Sequence, residues 1–279
     1  MRYAISTVMT SVLTVLASHT AVAQGSETSA YPERPIRLVS PFPAGGGTDY
    51  VARLLASRLG ESGWTVTVDN RAGANGTIGV ADIARARANG YELVIGQRDN
   101  LVFAPQFQSV PYDTVRDFQP IVYLARTPII IVAAADGKYR NFAEVISAAR
   151  AQPGSVSIGS SGHGSASHIA SELLRTRGGV QLTHVPYRGS APALAEFGFA
   201  GVEVQSWYGL FAPAGLSAGL TRKLHEQVSR VVRQPEVIAL LHGQGLEPQA
   251  MSPDEFARFV RTDYQDIQTV LAETGIGQQ

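Results

Sequence analysis

Cysteine is absent from the 279 residues, which excludes a disulfide framework and a lipid-attachment cysteine. Charge of one sign is also lacking: 23 basic side chains stand against 23 acidic ones. With no Lys/Arg cluster, the chain has no electrostatic footprint for nucleic acid or an anionic membrane surface. Beyond the N-terminus no apolar run reaches the ~20 residues that a membrane span needs. Internal repeats and low-complexity tracts are missing as well. What remains is 44% hydrophobic and 16% charged, enough to bury a substantial core in one large or two medium domains.

The first residues read as a Sec-type signal peptide. Arg2 supplies the charged start, Val8, Val12, Leu13, Val15, Leu16 and Ala17 an apolar core, and Ala21-Val22-Ala23 a small-x-small cleavage site. Ser6, Thr7, Thr10 and Ser11 interrupt the run, which argues against an uncleaved anchor. The expected product begins at Gln24 and is periplasmic.

From Tyr31 onward the chain alternates strand and helix patterns in the manner of a parallel α/β protein. Strands are expected near 35–40, 65–69 and 91–96, and helices at about 49–59 and 77–88. A non-periodic stretch, 101–118, leads to two apolar runs, 121–125 and 129–135, which read as a crossing into a second lobe. Asn141 with Glu144 has capping-box spacing and starts a helix that Pro153-Gly154 stops. A strand at 155–160, a helix at 165–177, a strand at 181–186 and a short helix from Ser190 complete that lobe. The chain then returns through β-rich 202–206 and 208–212 to helices at about 217–233, 235–242 and 253–274, with an extended piece at 246–249. Ser252-Pro253-Asp254-Glu255 is a strong start for the last helix and Gly275 its stop.

Two small-residue loops carry the chemistry. Pro41-Phe42-Pro43-Ala44-Gly45-Gly46-Gly47-Thr48-Asp49 and Gly159-Ser160-Ser161-Gly162-His163-Gly164-Ser165-Ala166-Ser167-His168 each follow a strand and open a helix. Unpaired amides at a helix N-terminus suit a carboxylate. In the first loop the glycines let backbone N–H groups approach an anion, and Phe42 offers an apolar wall; the plainer alternative is a tight turn whose glycines serve only φ/ψ. No Lys-Ser/Thr follows them, so a phosphate P-loop is not indicated. The second loop adds the hydroxyls of Ser160, Ser161, Ser165 and Ser167. It lacks the Gly-x-Ser-x-Gly of a nucleophile elbow, and His163 and His168 are five apart, a poor spacing for one helix face. No catalytic residue, metal or cofactor is therefore assigned, and His168 is expected to pack on its loop or make one hydrogen bond. Asn70-Arg71 and Arg98-Asp99-Asn100 end strands near the same place, while Trp207 and Tyr208 read as hinge packing.

The segments Tyr31-Pro32-x-x-Pro35-Ile36-Arg37, the Pro41 to Asp49 loop, Asn70-Arg71-x-Gly73-Ala74-x-Gly76, Ser160-Ser161-Gly162-x-Gly164-Ser165-x-Ser167-His168, His184-Val185-Pro186-Tyr187-x-Gly189-Ser190 and Trp207-Tyr208-Gly209-Leu210-Phe211-Ala212-Pro213 resemble, in order, the Bug/TctC family of periplasmic solute receptors. The resemblance implies a two-lobed type II periplasmic-binding-protein fold, with lobe 1 from 24–103 plus 202–279 and lobe 2 from 104–201. It implies capture of a small carboxylate, be it a dicarboxylate, tricarboxylate, acidic amino acid or aromatic acid. Delivery to the membrane permease of a tripartite tricarboxylate transporter would follow, by a monomer without enzyme activity. The ligand-binding residues it implies are Phe42, Ala44, Gly45, Gly46, Thr48, Asp49, Ser160, Ser161, Gly162, Ser165, His168 and Tyr187. One departure stands out: Leu194-Ala195-Glu196 runs directly into Phe197-Gly198-Phe199-Ala200-Gly201. About fifty residues of the family pattern are missing there, enough for a strand-helix-strand unit, so a shortened second lobe is expected. The rival readings are a folded remnant or sensor that has lost its ligand, and a periplasmic serine hydrolase.

Overall fold

The computed structural model describes residues 30–127, 131–134, 136–187, 207–249 and 251–274. The expected signal peptide, the 194–201 junction, the short helix from Ser190, the strand at 202–206, part of the run 129–135 and the stop at Gly275 lie outside the described residues.

The chain opens with β1 (Ile36–Ser40), α1 (Gly47–Glu61), β2 (Val66–Asn70), α2 (Thr77–Ala84) and β3 (Glu92–Gln97). β1 pairs in parallel with both β2 and β3. Successive side chains of a strand point to opposite faces, and here both faces are covered. Ile36, Leu38, Leu93 and Ile95 share a core with Val51, Leu55 and Leu59 of α1, while Val39 and Val94 pack with Val80 and Ile83 of α2. That double burial is why these strands read as nearly continuous apolar runs.

Asp99–Phe103 then forms a wide helical turn that continues into α3 (Ala104–Phe107). The sequence shows no helical period here because Leu101, Val102, Phe103 and Ala104 are all buried, leaving no polar face to mark the turn. β4 (Phe118–Arg126) falls in the 104–201 segment expected in the second lobe, but it hydrogen-bonds into the larger sheet. Its apolar run is buried by that pairing, so the crossing begins only after Arg126.

α4 (Phe142–Ala151) starts with the expected box: the Glu144 amide donates to Asn141 Oδ1 at 3.0 Å, and Glu144 accepts from the Arg140 amide at 2.9 Å. β5 (Ser157–Ser160), α5 (Ala166–Gly178) and β6 (Thr183–Pro186) form a strand-helix-strand unit with a parallel two-stranded sheet. Its core is small, centred on Ala149, Val156 and Val180. The chain returns through β7 (Trp207–Pro213) and finishes with α6 (Ala218–Val232), α7 (Pro235–His242), β8 (Glu247–Pro248) and α8 (Pro253–Thr274). Ser252 and Glu255 exchange the hydrogen bonds of a capping box at the start of α8.

The larger sheet has the order β2-β1-β3-β7-β4-β8, with β7 antiparallel to both neighbours. Arg126 and Trp207 are partners in register, so the outgoing and returning strands leave the sheet side by side. Trp207 is buried; its Nε1 donates to Asp263 of α8 at 2.8 Å, and Asp263 also accepts from Arg98 at 2.6 Å.

Gly96 and Gly209 face each other across β3 and β7. A Cβ on Gly96 would collide with Leu101 and stand 2.7 Å from the Phe211 ring; one on Gly209 would enter the Phe256 ring. Gly209→Ala is expected to cost about 1–3 kcal/mol through overpacking. Gly60→Ala in α1, where an added methyl meets nothing within 4 Å, should be neutral or stabilising by up to about 1 kcal/mol. Urea unfolding of both variants checks this, and a Gly209→Ala protein as stable as wild type would contradict the packing described.

Candidate functional site

The C-terminal ends of β1, β2 and β3 lie at one end of the larger sheet, where open α/β folds place their ligands. Buried side-chain atoms without a hydrogen-bond partner gather on the segments that leave these strands: Ser40 Oγ, both amide atoms of Asn75, Gln97 Oε1, Asp99 Oδ2 and Asn100 Nδ2. Such atoms are costly unless something meets them. Their segments are in contact, since a Cβ on Gly76 would lie 2.8 Å from Asn100 Nδ2 and 3.1 Å from the Phe42 ring.

In the first loop Asp49 is the organiser. It accepts from the Gly45 amide at 2.9 Å, from Arg53 at 2.8 Å and from Asn70 at 2.9 Å, and Asn70 also donates to the Phe42 carbonyl at 3.1 Å. Burial raises the Asp49 carboxyl, but Arg53, the Gly45 amide and Asn70 outweigh it and hold it below the ordinary range. Asp49 thus shapes the loop. Gly46 is the N-cap of α1 with no side-chain hydrogen bond on the first turn, so amides of that turn stay open to an anion. Thr48 is buried and its hydroxyl accepts from Gln97. Phe42 is buried against Gly76, whereas Ala44 and Gly45 are exposed at the rim.

A third wall was not foreseen as part of the site. Gly73, Ala74, Asn75 and Gly76 all have positive φ, a conformation that costs non-glycine residues energy and clusters at functional sites. Its sequence signal was the Gly73-Ala74-x-Gly76 string. Asn70 buttresses the loop, while Arg71 stays on the surface beside Asp69.

The second loop is closed on itself. Ser165 caps α5 by accepting from the His168 amide, Ser167 Oγ accepts from the Ser161 amide, Ser160 Oγ accepts from the Gly162 amide, and His168 Nδ1 accepts from the Gly164 amide. Tyr187 donates its backbone amide to the Ser160 carbonyl at 2.9 Å, placing it beside Gly162. The second loop's hydroxyls and amides therefore lie together and bond mainly to one another. A further donor of the first turn is met by the other lobe: the Ala166 amide donates to Asp99 Oδ1 at 3.1 Å, and Ala166 packs in the same core as Leu101 and Phe103. Arg98, the neighbour of Asp99, turns to Asp263 instead.

His184 was not among the predicted site residues, although its motif was recognised. Its ring stacks on His168 with centroids 4.2 Å apart and planes 15° apart, and its Nε2 meets Ser160 Oγ at 2.6 Å. With His163, the three rings bring possible ligand atoms within 4.8 Å of one another. The in-plane lone pairs of two stacked rings run parallel and do not converge on one ion, and His168 Nδ1 already holds the Gly164 N–H. Burial, followed by the His184 charge, pushes His168 down to about 4, so the stack is neutral at physiological pH. Ser160 is buried and contacts His184, but no carboxylate hydrogen-bonds that ring among the described residues, so a Ser-His-Asp arrangement is not formed.

The comparisons with known proteins fit this geometry. The family model described as tripartite tricarboxylate transporter family receptor (TctC) matches residues 51–197 and 190–276. The chain belongs to this family. The match comes in two pieces that overlap at 190–197. A UPF0065 protein from Pseudomonas sp. strain P51 is 31% identical over 307 aligned positions, covering 92% of this chain and 91% of that protein. Those positions outnumber the 279 residues present, so the relative carries residues that this TctC receptor lacks. Among solved structures, an R. palustris protein with adipate has a TM-score of 0.80 and 29% identity, over 88% of this chain and 98% of that one. MatC from Rhodopseudomonas palustris, with bound malate, has a TM-score of 0.75 and 26% identity, over 86% and 100%. The fold is the two-lobed α/β fold of these binding proteins, and the family is one of receptors, not enzymes.

Burial also pushes the Asp99 carboxyl up to about 7, against the lowering effect of the Ala166 amide, Arg98 and the Ser161 hydroxyl. Between its ordinary 3.8 and about 7, the unfolded chain releases this proton and the folded chain keeps it, so wild type loses stability across that window as pH rises. Asp99→Asn removes the titration. The stability difference in favour of the variant is expected to widen from about pH 4 to 7 and then level off, measured by urea unfolding at a series of pH values. A difference independent of pH would rule out the buried protonated carboxyl. His168 acts in the opposite sense, losing stability as pH falls from 6.5 to about 4, and cancels in the comparison.

Proposed function

We propose that this chain, matured after Ala23, is a periplasmic receptor that closes on a small carboxylate and delivers it, as a monomer, to the permease of a tripartite tricarboxylate transporter. The observation that carries the reading is the uncapped first turn of α1 beside a set of buried, unpartnered polar atoms. The larger lobe holds β1 to β4 with β7 and β8, and the smaller lobe lies between Arg126 and Trp207.

In this reading Gly46 and Thr48 receive the carboxylate on backbone amides, and Phe42 covers its apolar part. Ala44 and Gly45 line the entrance, Asp49 fixes the loop, and Ser160, Ser161, Gly162, Ser165, His168 and Tyr187 form the facing wall. A few charge-assisted hydrogen bonds of about 1.5–3 kcal/mol each are enough for micromolar binding after ordering costs. The relatives solved with adipate and malate support a small carboxylate as ligand class.

Thermal unfolding of residues 24–279 with a panel of mono-, di- and tricarboxylates tests the reading. One ligand is expected to raise the transition, since a ligand at a hundred times its Kd stabilises the folded state by about 2.7 kcal/mol. A cooperative transition that no carboxylate moves would favour a folded remnant or sensor.

A further inference from the structure

The two helix N-termini at the cleft are not equivalent. The first turn of α1 carries no side-chain cap, whereas α5 has Ser165 on the His168 amide and Asp99 on the Ala166 amide. Asp99 comes from the turn after β3, so a carboxylate of the larger lobe sits on a helix N-terminus of the smaller one. That is where a helix presents its partial positive charge to an anion. Asp99 is 1% exposed and its Oδ1 holds the Ala166 amide; the Ser161 hydroxyl acts on the carboxyl, but Oδ2 has no hydrogen bond of good geometry among the described residues. Gln97 Oε1, two residues earlier, is a second fully buried acceptor without a donor.

Building on the receptor reading above, we propose that Asp99 is the resident occupant of the second anion seat. The cleft therefore takes a solute with a single carboxylate, held at α1, whose other end carries a hydrogen-bond donor, an ammonium or hydroxyl, facing Asp99 Oδ2. The argument is electrostatic. The second carboxylate of a dicarboxylate would have to share a water-poor space with Asp99, and two such groups at close range cannot both ionise. A donor end instead satisfies an acceptor that is otherwise buried and unmet. Burial raises the Asp99 carboxyl despite the Ala166 amide, the Arg98 charge and the Ser161 hydroxyl; the Arg98 guanidinium is itself bonded to Asp263 at 2.6 Å.

Isothermal titration of residues 24–279 at about pH 8.5, above the value near which the buried Asp99 carboxyl gives up its proton, tests the proposal with matched pairs: succinate and 4-aminobutyrate, glutarate and 5-aminopentanoate, adipate and 6-aminohexanoate. Wild type is expected to bind the amino acid of at least one pair about tenfold or more tightly than its dicarboxylate. Asp99→Ser, which empties the seat, should reverse that order. Asp99→Asn keeps the shape without the charge and should abolish the preference, so it serves if the serine variant does not fold, as judged by circular dichroism. A wild-type preference for the dicarboxylate, or a ratio unchanged by both variants, overturns the proposal while the receptor reading stands. Failure of every compound to bind wild type and variants alike overturns the proposal, and the receptor reading falls with it only if the wider carboxylate panel also leaves the thermal transition unmoved.

Discussion

The close approach of β3 and β7 at Gly96 and Gly209 is the constraint on which much of the molecule depends. Without a Cβ on either strand, Leu101, Phe211 and Phe256 sink into the middle of the sheet. Leu101 belongs to the turn that also carries Asp99 and Asn100, so its seating sets the height at which those polar groups stand. Phe256 anchors α8, whose Asp263 ties Trp207 to Arg98. A steric vacancy in the core is thus connected, through one turn and one helix, to the cleft and to the strand on which the chain returns.

The parallel half of the larger sheet was legible in the sequence because each strand and helix has its own period and its own stops. α6 to α8 were legible for the same reason, with Ser217 and Ser252 capping as their positions suggest. The turn at 99–107 was not, since burial all round erases the amphipathic pattern. Nor was the place of β4, because an apolar strand looks the same whichever sheet buries it; only the pairing with β7 and β8 decides.

The site was legible as two loops but not as a circuit. Glycine and serine strings announce available amides, yet sequence cannot say which amides a neighbour will take. Asp49 braces its own loop through Gly45 and Asn70, a role that the string of glycines does not announce. His184 and Asp99 lie 24 and 67 residues from their partners Ser160 and Ala166, and contacts of that range leave no local pattern. The asymmetry between an open α1 and an occupied α5 comes partly from the local Ser165 cap and partly from the distant Asp99 pairing.

The register of Arg126 opposite Trp207 makes β4 and β7 neighbours before the chain ever leaves the larger sheet. Topologically, the smaller lobe is an insertion into what would otherwise be a β-hairpin. Residues can be added to or lost from such an insertion without breaking a ladder of the host sheet, because the two strands that bracket it are already paired. The six-stranded platform therefore keeps its continuity whatever length of chain hangs between Arg126 and Trp207.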